Sequence, residues 1–169
     1  VHNHGVYQNF RPDGGFFRFS TLGHESRTLA AALDRAAYRT ALLGKYLNEY
    51  PFGVEKTYVP EGWDEWVVPV TGSAYSGFNY TLNDNGVLVA HGAAEADYLT
   101  DVLAREARDF VTRSAAAEEP FFLMVAPFVP HKPSAPAPRH AKLFVGVQAP
   151  RTKSFNEKDI SDKPSLRQK

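Results

Sequence analysis

Apolar positions along this chain fall into short runs whose spacing separates helices from strands. Over residues 26–37, Leu29, Ala32, Leu33 and Ala36 recur at helical spacing, and Ser26 is placed to cap the first turn. Residues 39–43 (RTALL) follow as a brief strand ended by Gly44. A helix feeding a strand is half of a βαβ unit, and its earlier strand is expected upstream of Val1. Residues 97–114 carry the clearest helical pattern. Leu99, Leu103, Ala107 and Phe110 form one stripe with Val102 and Val111 beside it, while Arg105, Glu106, Arg108, Asp109 and Arg113 make a solvated face. Residues 121–126 (FFLMVA) are continuously apolar and read as a buried strand stopped by Pro127. Between these, residues 78–92 hold two β-like runs separated by NDNG, a hairpin signal because Asn and Gly tolerate positive φ.

The remaining text is irregular. Residues 1–23 show no period and read as loop, and residues 46–70 are aromatic and turn-rich. Trp63 and Trp66 are expected to anchor that segment to the core, with stacking on a sugar ring as the alternative. Residues 142–148 (KLFVGVQ) read as a short strand or a turn of helix. Helices alternating with strands make the chain an α/β protein.

Composition narrows the function. With 169 residues the chain can build one sizeable core. Its 19 basic and 19 acidic residues balance, so it carries no electrostatic footprint for nucleic acid or an anionic membrane. No apolar run approaches the roughly 20 residues that cross a bilayer. Cysteine is absent, which removes disulfides, Cys-ligated zinc and a thiol nucleophile from these residues. The chain starts at Val1 in a polar segment and ends in a Lys-rich, Pro-containing stretch, and it is expected to be an internal piece of a longer protein.

Candidate chemistry sits at strand ends, where open α/β sheets place their sites. Lys45 follows the strand at 39–43, and His131 lies in the proline-framed loop beyond the strand at 121–126, with Lys132 in reserve. A lysine in a pocket can hold an anionic group and stabilise developing charge, and a histidine opposite it can protonate a leaving oxygen. The pair suits hydrolysis of an anionic ester, whether sulfate or phosphate. No residue is assigned to a metal. His2 and His4 lack acidic or Cys partners for zinc, and turn chemistry explains Asp84-Asn85-Gly86. Neither a Gly-rich phosphate loop nor a Gly-x-Ser-x-Gly elbow is present.

The segments YRTALLGKYLNEY (38–50), VPEGWDEW (59–66), FNYTLNDNG (78–86), DYLTDVLAREARDF (97–110) and PFFLMVAPFVPHKPSAPAPRH (120–140), in that order, resemble the sulfatases of the alkaline-phosphatase-like superfamily. The opening HNHGV and the later SFNEKDISDKP are also similar, and the closest look is to N-acetylglucosamine-6-sulfatase-like and arylsulfatase-like members. The resemblance implies part of an alkaline-phosphatase-like sandwich, a mixed sheet flanked by helices and incomplete at both ends, with residues 1–169 lying inside one catalytic domain. It implies hydrolysis of a sulfate ester on a sugar by a formylglycine nucleophile and a calcium ion, both supplied from outside these residues. Lys45, in GKYLN, matches the sulfate-binding lysine. His131, in PHKP, matches the histidine that contacts sulfate and assists the leaving group. Many relatives have a histidine two positions after that lysine, where this chain has Leu47, followed by Asn48. Asn48 and His4 are carried as further substrate-binding candidates, His4 at the pocket mouth. A secreted, periplasmic or lysosomal setting is expected from the family. The rival expectations are a phosphodiesterase or phosphonate monoester hydrolase of the same superfamily, and a non-catalytic carbohydrate-binding or degenerate protein.

Overall fold

Among the described residues up to 138 there are three α-helices and five strands: α1 (Gly15–Thr21), α2 (Leu29–Arg35), β1 (Arg39–Gly44), β2 (Glu65–Gly72), β3 (Tyr80–Asp84), β4 (Val87–His91), α3 (Leu99–Ala116) and β5 (Phe121–Ala126). The computed structural model describes residues 3–164, which divide into two units after Pro138. The strands form one mixed sheet in the order β4-β3-β2-β1-β5. The strands β2, β1 and β5 run parallel, while β2-β3-β4 is an antiparallel meander. This is the expected α/β class with a mixed sheet.

β1 is the centre. Thr40, Ala41, Leu42 and Leu43 are all buried because helices and loops cover both of its faces. Successive side chains point to opposite faces, so Leu42 and Leu43 enter different cores. Leu43 packs with Val67, Leu82, Leu99, Val102 and Leu103 on the α3 side. Leu42 packs with Trp66 and Val68 on the other, where Tyr46, Tyr50 and Trp63 close the layer. Trp66 is fully buried, in keeping with the anchoring role expected of it.

The hairpin turns as its sequence predicts, with positive φ at both Asn85 and Gly86. Asn85 Oδ1 accepts from Trp66 N at 2.7 Å, and Asn83 Oδ1 accepts from Gly86 N at 2.8 Å, so these side chains serve the turn.

Several elements differ from the expectation. Residues 1–23 are not all loop, because α1 forms there around Phe16, which is fully buried among Tyr46, Tyr50 and Tyr58. An isolated aromatic anchor leaves no period to read. The helix expected over 26–37 divides into a 3-10 turn at Glu25–Arg27 and α2. Thr28, not Ser26, caps α2, its hydroxyl accepting from Ala31 N at 3.0 Å. The buried face of α2 is Ala30 and Ala31, while Leu29 is 64% exposed. Small residues face the sheet because Gly62 packs directly on the backbone of Ala30 and Ala31. The strand β2 lies inside the segment read as turn-rich, its period interrupted by Pro69 at a register shift against β3. On α3 the stripe holds for Leu99, Leu103 and Phe110, but Val111 is exposed.

The largest departure is β5. Its unbroken apolar run predicts burial, yet Phe121, Met124 and Val125 are each more than a third exposed. Among the described residues β5 pairs only with β1. Phe110 meets Phe121 edge-on, Trp63 stacks on Phe122 and Leu123 packs against the α3-side core, while Met124 and Val125 stay largely uncovered. In the second unit, residues 142–148 form neither strand nor helix, and Leu143, Phe144, Val145 and Val147 are 60% to 80% exposed. Among the described residues no helix is long and apolar enough to cross a membrane.

Candidate active site

Lys45 leaves the end of β1 where its own backbone N–H donates to Ala126 O at 2.7 Å, so the exits of β1 and β5 are locked together. Such close approach is possible because residue 44 is glycine: a Cβ there would lie 2.2 Å from Ala126 O, and its φ is +108°. From this point Lys45 reaches Tyr75, its Nζ donating to the phenol oxygen at 2.7 Å. Among the described residues no carboxylate pairs with Lys45. Its charge therefore stays available to an anion.

The loop after β5 brings His131 to the same tyrosine. The Tyr75 and His131 rings lie 4.8 Å apart, and Phe128 meets the Tyr75 ring edge-on at 4.9 Å. His131 is exposed, and its Nδ1 lies 2.9 Å from Lys132 O. A carbonyl only accepts, so Nδ1 carries the proton and Nε2 is left as the nitrogen free to exchange one. The loop itself is held by His131 N donating to Phe128 O at 3.1 Å and by Ser134 N donating to His131 O at 2.8 Å. The two residues singled out by the sequence therefore both contact one tyrosine. Lys132 is exposed and enters this arrangement only through its carbonyl.

The sequence reading did not single out Tyr75. It sits in TGSAYSG, a run of small residues that form a 3-10 turn, Ala74–Ser76, with no period to mark it. The turn is nonetheless fixed. Ala74 is buried in the α3-side core, Ser73 N donates to Asn79 O at 2.9 Å, and Leu99 N donates to Gly77 O at 2.9 Å. Tyr98 lends a second tie, donating from its hydroxyl to Ala135 O at 2.8 Å in the loop that carries His131. A large aromatic framed by Gly72 and Gly77 was the one available signal.

Asn48 and His4 do not join this group. They line a separate cavity of about 350 Å³ whose walls also include Phe19 and Leu47. Asn48 O accepts from Phe16 N at 2.7 Å, and His4 Nδ1 accepts from Val6 N at 3.1 Å. Lys45 lines a neighbouring cavity of about 280 Å³ that shares Phe19 and Leu47 with the first and is otherwise walled mainly by Leu42, Trp63 and Met124. His2 lies outside the described residues. Among the described residues no group of three or more His, Cys, Asp or Glu stands close enough to hold a metal ion. These residues do not fit the calcium that the resemblance implies, and no step is assigned to one.

The chain is 40% identical to the N-acetylglucosamine-6-sulfatase of Homo sapiens over 92% of its own length and 28% of that protein's. It is 35% identical to an extracellular sulfatase SULF-1 homolog of Drosophila melanogaster over 96% of its length and 14% of that protein's. The chain thus spans less than a third of these curated relatives. A solved structure, BT4656 in complex with its substrate D-glucosamine-2-N,6-O-disulfate, shares the fold with a TM-score of 0.64 at 22% identity, over 89% of this chain and 26% of that one. The Sulfatase family model matches residues 1–161. A match across nearly the whole sequence makes the chain a member of the sulfatase family.

Proposed function

We propose that the protein containing this chain hydrolyses sulfate esters of a sulfated sugar, with Lys45 holding the sulfuryl oxygens and His131 protonating the departing alcohol. The observation that carries this reading is that Lys45 and His131, from the exits of two neighbouring strands, both contact Tyr75. An ammonium without a carboxylate partner favours the charge that collects on non-bridging oxygens as the S–O bond breaks. Once Nε2 has taken up a proton, the resulting imidazolium, its Nδ1–H held by a carbonyl, can deliver that proton to the departing alkoxide oxygen and return to the neutral form. The sugar substrate is supported by the glucosamine-6-sulfatase relative and by the sulfated glucosamine bound to the structural neighbour. The extracellular name of the Drosophila relative supports a site of action outside the cytosol. His4 and Asn48, lining the adjacent cavity, are assigned to the sugar beyond the sulfate. The formylglycine and calcium that the resemblance implies are assigned to sequence outside these residues, and the roles given to Lys45 and His131 run through neither.

The test uses the full-length protein with paired aryl sulfate and aryl phosphate esters. Lys45→Ala and His131→Ala are each expected to lower kcat/KM for the sulfate ester by about 100-fold or more. The loss in His131→Ala should be smallest for esters with acidic leaving groups, which need no proton. Undiminished turnover in both variants would remove the assignment. Faster hydrolysis of the phosphate ester would turn the reading toward a phosphodiesterase or phosphonate hydrolase, and no turnover of either ester would favour a non-catalytic sugar-binding protein.

A further inference from the structure

Tyr75 contacts both Lys45 and His131. Its chemistry says more. A ring that merely filled the space against Phe128 and His131 would need no hydroxyl, and a buried or half-buried phenol ordinarily finds partners for both its lone pair and its proton. Here the lone pair is used, since Lys45 Nζ donates to it at 2.7 Å. The hydroxyl proton has no acceptor among the described residues. A phenol that accepts from a cation becomes a stronger donor itself, and the acceptor it lacks is the kind of group an anion supplies. The same ammonium lies 5.2 Å from the ring centroid, so both ends of the contact favour a fixed tyrosine.

Resting on the sulfate-ester reading above, we propose that Tyr75 is a substrate-binding residue of this site, its hydroxyl donating a hydrogen bond to an oxygen of the anionic ester group while its ring fixes the orientation of His131. The turn that carries it is suited to the task. Ala74 is buried in the core, and the backbone bonds of Ser73 and Gly77 hold both ends of the turn, so the phenol is presented without a loop to order on binding. The ring contact with His131 restricts the imidazole of an otherwise exposed loop residue. The two roles are separable, because phenylalanine keeps the ring and loses the donor, whereas leucine loses both.

The experiment compares Tyr75→Phe and Tyr75→Leu with Lys45→Ala and His131→Ala in the full-length protein. The readouts are KM and kcat for an aryl sulfate ester, the inhibition constant of inorganic sulfate, and the melting temperature. Tyr75→Phe is expected to raise both KM and the sulfate inhibition constant by about tenfold, the usual worth of one hydrogen bond to a charged group, with kcat changed less and melting unchanged. Tyr75→Leu is expected to add a fall in kcat, because His131 loses its ring contact. The proposal is overturned if Tyr75→Phe keeps KM and the inhibition constant within twofold of the parent while Lys45→Ala and His131→Ala are impaired. It is equally overturned if Tyr75→Phe lowers the melting temperature and turnover but leaves sulfate inhibition unchanged, the pattern of a purely structural residue. If Lys45→Ala and His131→Ala are themselves unimpaired, the site assignment fails, and the role of Tyr75 fails with it.

Discussion

At Gly44 the absence of a side chain decides where Lys45 can be. The β1 backbone runs so close to Ala126 that any Cβ would collide with a carbonyl oxygen, and the φ of +108° is one that L-residues rarely adopt. Gly44→Ala is therefore expected to destabilise the protein by about 1–3 kcal/mol through backbone strain. It should also displace Lys45 from Tyr75, and a shift of only an ångström at a charge-stabilising group can cost about 100-fold in rate. Urea unfolding of the full-length protein together with aryl sulfate turnover checks both effects. An unchanged midpoint with unchanged turnover would mean that β1 and β5 separate freely at their exits.

Among the elements, β2 is held by a carboxylate as well as by its ladder. Glu65 accepts from Arg39 at 2.7 Å and from Arg113 at 2.9 and 2.7 Å, so a single side chain joins β2 to β1 and to the last turn of α3. The hydrogen bond to Glu65 is the main cause of an upward shift in the Arg113 pKa, and Arg113 is half exposed, which limits what the pair contributes. Glu65→Gln is expected to lower stability by about 1 kcal/mol, read as a shift in the urea midpoint at constant slope. A larger loss would indicate that α3 detaches from the sheet edge. The assembly also explains why β2 was hard to read: Glu65, Pro69 and the exposed Thr71 break its alternation, and only its two parallel and antiparallel neighbours reveal a strand.

Over the whole molecule, the face of the sheet opposite α3 is closed by an aromatic cluster rather than by a long helix. Phe16, Tyr46, Tyr50, Tyr58 and Trp66 pack together, and the Tyr50 hydroxyl is shared with the Trp66 indole N–H at 3.0 Å and the Asn83 amide at 3.1 Å while itself donating to Tyr58 O. Burial, followed by the charge of Glu25, pushes the Tyr58 phenol up to about 12 and raises Tyr46 further. Burial also raises Tyr80. A phenol that ionises later in the folded state than in the unfolded one binds more protons when folded, so the stability it confers is complete below its ordinary pKa of 10.0 and declines as pH rises toward 12. The urea midpoint is expected to stay level with respect to these tyrosines up to about pH 10 and to fall above it. Glu25→Gln should bring the late-ionising part of the phenolate absorbance to lower pH, since it removes the second cause of the shift at Tyr58 and Tyr46. A phenolate titration in the parent protein with no late-ionising fraction would show that the cluster is open to water.

The sequence by itself determined the class and the central parts: α3 from its 3.6-residue stripe, the hairpin from Asn85-Gly86, β1 from RTALL, and Lys45 and His131 as strand-exit residues supported by a family resemblance. Those signals are local, because period, turn propensity and position after an apolar run are carried by neighbouring residues. Tertiary structure alone decided the rest. Phe16 nucleates α1 only because three tyrosines from other segments surround it, and Ala30 rather than Leu29 faces inward because Gly62 presses on α2. FFLMVA is half exposed because only β1 lies beside it among the described residues. Tyr75 joins Lys45 and His131 because a turn after β2 crosses the exits of β1 and β5, and a contact made across 30 residues on one side and 56 on the other leaves no trace in local spacing.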